Sequence, residues 1–237
     1  MAKRGRPATF DRAEAVERAM ELFWARGYEG VTLEDLQAAM GNITPPSFYH
    51  AFGSKEALFR EAVERYIATI GAPGVRALED GKTARESVEA MLRFTARSMS
   101  RPGKPHGCLL AQGAINCSPA NKGPQEFLRA LRRGTPKTIK QRLDRAVAEG
   151  ELPRDLETGR IAAFYATVAQ GIALRAGDGA SQAALIAAVE GAMAAWDTLT
   201  SNARTRRATV ASSSTGSATG TSASRTSAAW PDPTSSS

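Results

Sequence analysis

Histidine and cysteine are nearly missing from this chain of 237 residues, which has two of each. Cys108 and Cys117 cannot build a disulfide framework and stand in no metal-ligand spacing. His50 and His106 lie far apart, each with a good non-catalytic explanation. There is no glycine-rich phosphate loop, zinc-type cluster or nucleophile elbow, and carboxylates such as Glu149, Glu151 and Asp155 read as solvated helix ends. We therefore expect no metal, no cofactor and no catalytic residue. Long apolar runs are lacking as well: none approaches the roughly 18 residues a membrane helix needs, and the basic N-terminus has no signal-peptide core. A reducing cytoplasm and no membrane partner are the expectation. Period-2 alternation is missing too, which argues against strands.

What remains is helical periodicity. Hydrophobic residues make up 42% and charged residues 23%, an ordinary soluble balance, with a net charge of +7. That charge suits a polyanionic partner. Residues 1–60 hold eight basic and eight acidic side chains, but Lys3, Arg4, Arg6 and Arg12 cluster at the start. A basic arm on a neutral domain favours focused contact with phosphates. The pattern predicts helices over 11–26, 32–41, 45–51 and 54–70, then a joint at 71–81 and further helices over 84–100, 108–115, 124–149, 155–176 and 181–199. Residues 201–237 collapse to Ser, Thr, Ala and Gly and are expected to be a disordered tail. The expected division is a basic flexible arm (1–10), a first helical unit with its connecting helix (11–70), a helical second domain (71–200) and the tail.

The stretch from Gly27 to Phe59 is the most informative. It reads as two short helices joined by a glycine turn, followed by a third capped helix. A helix that reads DNA needs short side chains for close approach, a few hydrogen-bonding groups and anchors to flanking phosphates. Thr44, Ser47, Tyr49 and His50 supply the polar groups, and Pro45 and Pro46 offer flat surface for thymine methyls. Lys55 opens the next helix, where unpaired N–H groups add to its charge. Phe48 and Phe52, four apart, should face inward. Thr32 should cap the second helix.

At these residues the chain resembles the TetR/AcrR family of bacterial transcriptional regulators. The matching pieces are L-F-W-A-R-G-Y-E-G, V-T-L-E-D-L-Q-A-A-M-G and S-F-Y-H-A-F-G-S-K-E-A-L-F, together covering roughly residues 12–63. The resemblance implies an all-α fold: an N-terminal three-helix helix-turn-helix domain and a C-terminal helical ligand-binding and dimerisation domain. It implies double-stranded operator DNA as partner, with contacts from Thr32, Thr44, Pro45, Pro46, Ser47, Tyr49, His50 and Lys55, and with Arg4 and Arg6 on the basic arm. Tyr49 and Lys55 would clamp phosphates. One departure is an extra residue between Gly41 and Tyr49, at Asn42-Ile43, so the turn there should bulge.

In the second half the resemblance implies a homodimer through the last two helices and a pocket for a small-molecule or electrophile effector. Phe94, Leu109, Gln112, Phe127, Leu131, Phe164 and Tyr165 are the expected lining. Cys108 follows a basic loop and should open a helix, a setting that favours thiolate. The G-C-L-L piece also resembles the sensor segment of NemR-type regulators within the family, and oxidation could join Cys108 to Cys117. The expectation is a repressor released by a small molecule or by thiol modification. Two other classes stay open: a helical adaptor that binds another protein, and an enzyme.

Overall fold

A computed structural model describes residues 11–201; the expected arm, with Arg4 and Arg6, and the expected tail beyond residue 201 lie outside the described residues. Every regular element among the described residues is helical. The first four are α1 (Arg12–Arg26), α2 (Leu33–Ala39), α3 (Pro45–Phe52) and α4 (Lys55–Tyr66). Each starts at a polar cap that accepts a bond from a first-turn N–H: Asp11, Thr32, Thr44 and Ser54. Such caps contribute about 1 kcal/mol apiece. Phe23, Phe48, Leu36, Leu58 and Phe59 are wholly buried where these helices meet. Phe59 sets its edge against Phe23 and Tyr28, with centroids 5.0 Å from each. Arg12, part of the basic N-terminal cluster, is spent internally: its guanidinium pairs with Glu61 and lies 5.1 Å from the Phe52 ring.

The joint expected at 71–81 is helical instead. After Tyr66 the chain widens into one π-helical turn, Ile67–Gly71, and continues as α5 (Ala72–Asp80). Pro73 supplies the reason. It has no N–H, and its ring would meet the carbonyl of Thr69, so regular winding cannot pass through it. The wide turn, in which the Ala72 N–H reaches Ile67 O, absorbs the misfit.

The rest comprises α6 (Ala84–Met99), α7 (Leu109–Gln112), a 3₁₀ turn at Pro119–Asn121, α8 (Lys122–Arg132), α9 (Gly134–Ala148), α10 (Thr158–Gly177), α11 (Gln182–Ala194) and α12 (Trp196–Thr200). The single helix expected over 124–149 is broken at Arg133, and the one expected over 108–115 shrinks to four residues in α7. Two apolar cores result. One gathers α1 to α4 with Leu109, Ala114 and Leu128; the other gathers α6, α9, α10 and α11 around Leu92, Leu143, Tyr165 and Val189. Cys108 packs against both.

Buried Arg142 locks the turn between α5 and α6. Its Nε donates to Ser87 Oγ at 2.9 Å, its Nη2 donates to Gly81 O at 3.3 Å, and its Nη1 faces Glu151 at 3.7 Å.

Candidate nucleic-acid interface and internal cavity

Helix α3 is divided by burial into two faces. Phe48 and Phe52 point inward at 0% and 6% exposure, their centroids 5.5 Å apart. Thr44, Pro45, Pro46, Ser47, Tyr49 and His50 are all exposed. Proline suits the first turn because its missing N–H would have had no intrahelical partner there. Thr44 Oγ1 accepts from Ser47 N and lies 2.9 Å from Ser47 Oγ, so the two hydroxyls form one polar unit at the helix start. Tyr49 is 52% exposed and stands edge-on against Phe48, which fixes the ring while leaving its hydroxyl outside.

The turn before α3 takes up the extra residue by placing two consecutive residues in the left-handed region. Gly41 has φ +84° and Asn42 has φ +59°. Asn42 N reaches back to Gln37 O at 2.9 Å, sealing the end of α2. Asparagine is among the few residues other than glycine that enter this region readily.

Around α3 lie the residues expected to meet phosphates. Thr32 forms a full capping box with Asp35: Thr32 N donates to Asp35 Oδ2 at 2.9 Å, and Asp35 N donates to Thr32 Oγ1 at 3.1 Å. That backbone bond, followed by Arg26, holds the Asp35 carboxyl below its usual range. Lys55 sits in the first turn of α4, but its ammonium rests 4.3 Å from the centroid of Tyr28. Burial lowers its pKa, and neighbouring Glu29 pulls the other way. Part of its charge is thus already engaged.

A cavity of about 360 Å³ opens between α4, the π-turn, α5, α6 and the α8–α9 junction. Phe94, Cys108 and Leu131 line it as expected. Gln112, Phe127, Phe164, Tyr165 and Leu109 do not. Gln112 lays its carboxamide against Gly107 and Gly177. Phe127 lies under the Arg60 guanidinium at 4.5 Å. Phe164 is exposed on α10, and Leu109 is buried in the first core. Tyr165 is core, packed on Trp196, and burial pushes its phenol up to about 12.

Tyr66, Ile67, Ile70, Met91, Arg132 and Thr138 line the cavity and were not foreseen. The π-turn that carries Ile67 and Ile70 has no periodic signature. Cys108 precedes a helix of only four residues, too short for the dipole the sequence suggested; the cation that lines the same cavity is Arg132. Cys117 stands elsewhere, near Lys55 and Glu29, with its thiol pushed up chiefly by burial. Both cysteines are free.

The loop carrying Cys108 is bonded to the α1–α2 region at several points. Trp24 Nε1 donates to Gly107 O at 3.0 Å, and Tyr28 N donates to Gly113 O at 2.7 Å. Glu29 accepts from Ser118 N, Ser118 Oγ and Asn121 Nδ2 at 2.7–2.8 Å, which holds its carboxyl below the usual range. Lys104 pairs with Glu21. Gly107 sits at φ +79°, a left-handed backbone that glycine adopts at no steric cost, and a Cβ there would also push the Gln112 carboxamide aside.

Known proteins agree with this architecture. The model of bacterial regulatory proteins of the tetR family matches residues 15–62, and the tetracyclin repressor-like C-terminal domain matches residues 84–188. The HTH-type transcriptional repressor ComR of Escherichia coli (strain K12) is 32% identical over 75% of this chain and 85% of ComR. A solved cysteine mutant of the TetR family transcriptional regulator CifR, complexed with 26bp double-strand operator DNA, is 40% identical. The match covers 81% of this chain and 100% of that one, with a TM-score of 0.77. Reduced E. coli NemR, 23% identical over 80% of this chain and 96% of its own with a TM-score of 0.63, shows the fold alone. On the two domain matches and the ComR relationship, the chain belongs to the TetR family and is a DNA-binding transcriptional regulator, not an enzyme.

Proposed function

We propose that the protein is a cytoplasmic homodimeric repressor that occupies an operator through α3 and leaves it when a small molecule fills the cavity or modifies Cys108. The observation that carries the DNA contact is the two-faced α3, with Phe48 and Phe52 seated inside and Thr44, Pro45, Pro46, Ser47, Tyr49 and His50 outside. Repression is supported by the relatives: ComR is named a repressor, and CifR is seen on operator DNA. In this reading Thr44, Ser47 and His50 address base edges, and Pro45 and Pro46 meet thymine methyls. Tyr49, Thr32 and the N–H groups opening α4 hold phosphates, Lys55 adds charge beside them, and Arg4 and Arg6 follow the minor groove.

Dimerisation is supported by α10 and α11. Leu185, Val189 and Met193 of α11 are buried, yet its outer side is also apolar, with Ala184, Ala187, Ala188 and Gly191 exposed. A helix whose exposed side is mostly alanine and glycine, interrupted by Glu190, offers a close-packing surface to a second helix. On α10, Phe164 and Leu174 are exposed at 38% and 51%. Pairing two copies would set the α3 helices against half-sites about 34–36 Å apart. Among the described residues no helix is long and apolar enough to cross a membrane.

Selection of bound duplexes from random DNA, repeated with an electrophile present, tests the whole reading; recovery of no preferred sequence would overturn it. Ser47→Ala should change preference at particular base pairs by about 1–3 kcal/mol while leaving random duplexes bound as before. A uniform loss across sequences would remove Ser47 from base reading. Lys55→Ala should instead weaken binding on every duplex and flatten its salt dependence. Cys108→Ser should keep operator affinity and abolish release by electrophiles, measured by gel shift. Release unchanged in that variant would exclude Cys108 as the switch.

A further inference from the structure

The cavity is apolar with one charged exception. Ile67, Ile70, Leu78, Met91, Phe94 and Leu131 supply most of its wall, and no aspartate or glutamate lines it. Its single charged residue is Arg132, at the end of α8. The guanidinium is half-buried, and burial lowers its pKa, with Arg129 adding to the effect. Nη1 donates to Leu110 O at 2.7 Å. Among the described residues no carboxylate pairs with Arg132; other arginines facing acids, such as Arg12 with Glu61 and Arg60 with Glu56, form ion pairs.

A partly desolvated guanidinium on an apolar wall without a counter-ion is poised for an anion. A single guanidinium balances the one charge of a carboxylate, whereas a phosphate monoester carries roughly 1.5 to 2 negative charges. Thr135 and Thr138 line the cavity from the same α8–α9 junction, and Thr138 Oγ1 donates to Gly134 O. At 360 Å³ the space holds about a dozen water-sized groups at roughly 30 Å³ each. Most of those groups would face hydrocarbon.

We infer that the cavity selects an apolar monocarboxylic acid of about a dozen non-hydrogen atoms, with its carboxylate on Arg132 and its hydrocarbon body against the π-turn and α6. This rests on the effector-cavity reading above and names the ligand class for that same site. It separates two kinds of signal. Cys108 answers reactive molecules, whereas Arg132 answers the charge of unreactive ones.

The test is isothermal titration of the full chain with octanoate, 1-octanol and octylamine, which share a body and differ in the head group. Octanoate should bind at least tenfold more tightly than octanol, and octylamine most weakly. Arg132→Gln should bring octanoate down to the level of octanol while leaving octanol unchanged, so octanol reports that the variant's cavity is intact. Arg132→Lys should keep part of the preference for octanoate. Equal binding of octanoate and octanol to the unaltered chain would overturn the acid preference and leave the cavity as an effector site. Binding of none of the three would overturn both.

Discussion

Tyr49→Ala is expected to weaken binding on every duplex by tenfold or more while leaving the unfolding midpoint in place. Its hydroxyl lies on the exposed side of α3, and its ring touches Phe48 only at an edge. A hydrogen bond to a charged phosphate is worth about 1.5–3 kcal/mol. Each 1.4 kcal/mol is tenfold in affinity, and a dimer loses the contact twice. Exposed substitutions away from caps and cores usually stay within about 0.5 kcal/mol of neutral in stability. Fluorescence anisotropy on specific and random duplexes, paired with thermal melting, separates the two effects. Tyr49→Phe should reproduce the binding loss with the ring retained, and wild-type affinity in both variants would remove Tyr49 from the docking surface.

Phe48→Ala, one residue away, should do the opposite first. Phe48 is wholly buried, in contact with the rings of Phe52 and Tyr49. Truncating a buried phenylalanine costs about 3–5 kcal/mol through lost burial and the cavity left behind. That is a large share of the 5–15 kcal/mol typical of a folded domain. The denaturant midpoint should fall sharply, amide exchange in α3 should quicken, and DNA binding should disappear with the helix. A midpoint shift below about 1 kcal/mol would mean that α3 is held by something other than this wedge. Together the two neighbours separate what α3 touches from what supports it.

The helix-turn-helix part of the molecule was legible from sequence because its signals are local. Asp11, Thr32 and Ser54 are capping residues at the right offsets, and the Phe48–Phe52 spacing fixes which side of α3 faces inward. The surplus residue at Asn42-Ile43 announced an unusual turn, and two left-handed residues in succession provide it. The cavity was much less legible. Tyr165 and Phe94 look alike in a helical pattern, yet one is sealed against Trp196 and the other faces the void. Which apolar side chain meets empty space depends on how helices distant in sequence are offset, and periodicity carries no such information. The glycines and proline of 71–81 read as a joint, and the structure runs helix through it. Their effect was to widen a helix rather than end it, because α6 packs along α5 and holds the chain in place.

That widened turn has a geometric corollary. A π-turn carries one residue more than α-helical winding, and one residue of an α-helix amounts to about 100° of rotation and 1.5 Å of advance. The helix that begins beside Lys55 and ends at Asp80 therefore holds a phase offset between its halves, located where Ile67, Ile70 and Gly71 border the cavity. Deleting a single residue from Ile67–Gly71 would re-phase α4 against α5 without touching a side chain on α3. Three of these five residues, Ile67, Ile70 and Gly71, thus belong both to the turn that sets the phase of α4 and to the cavity wall.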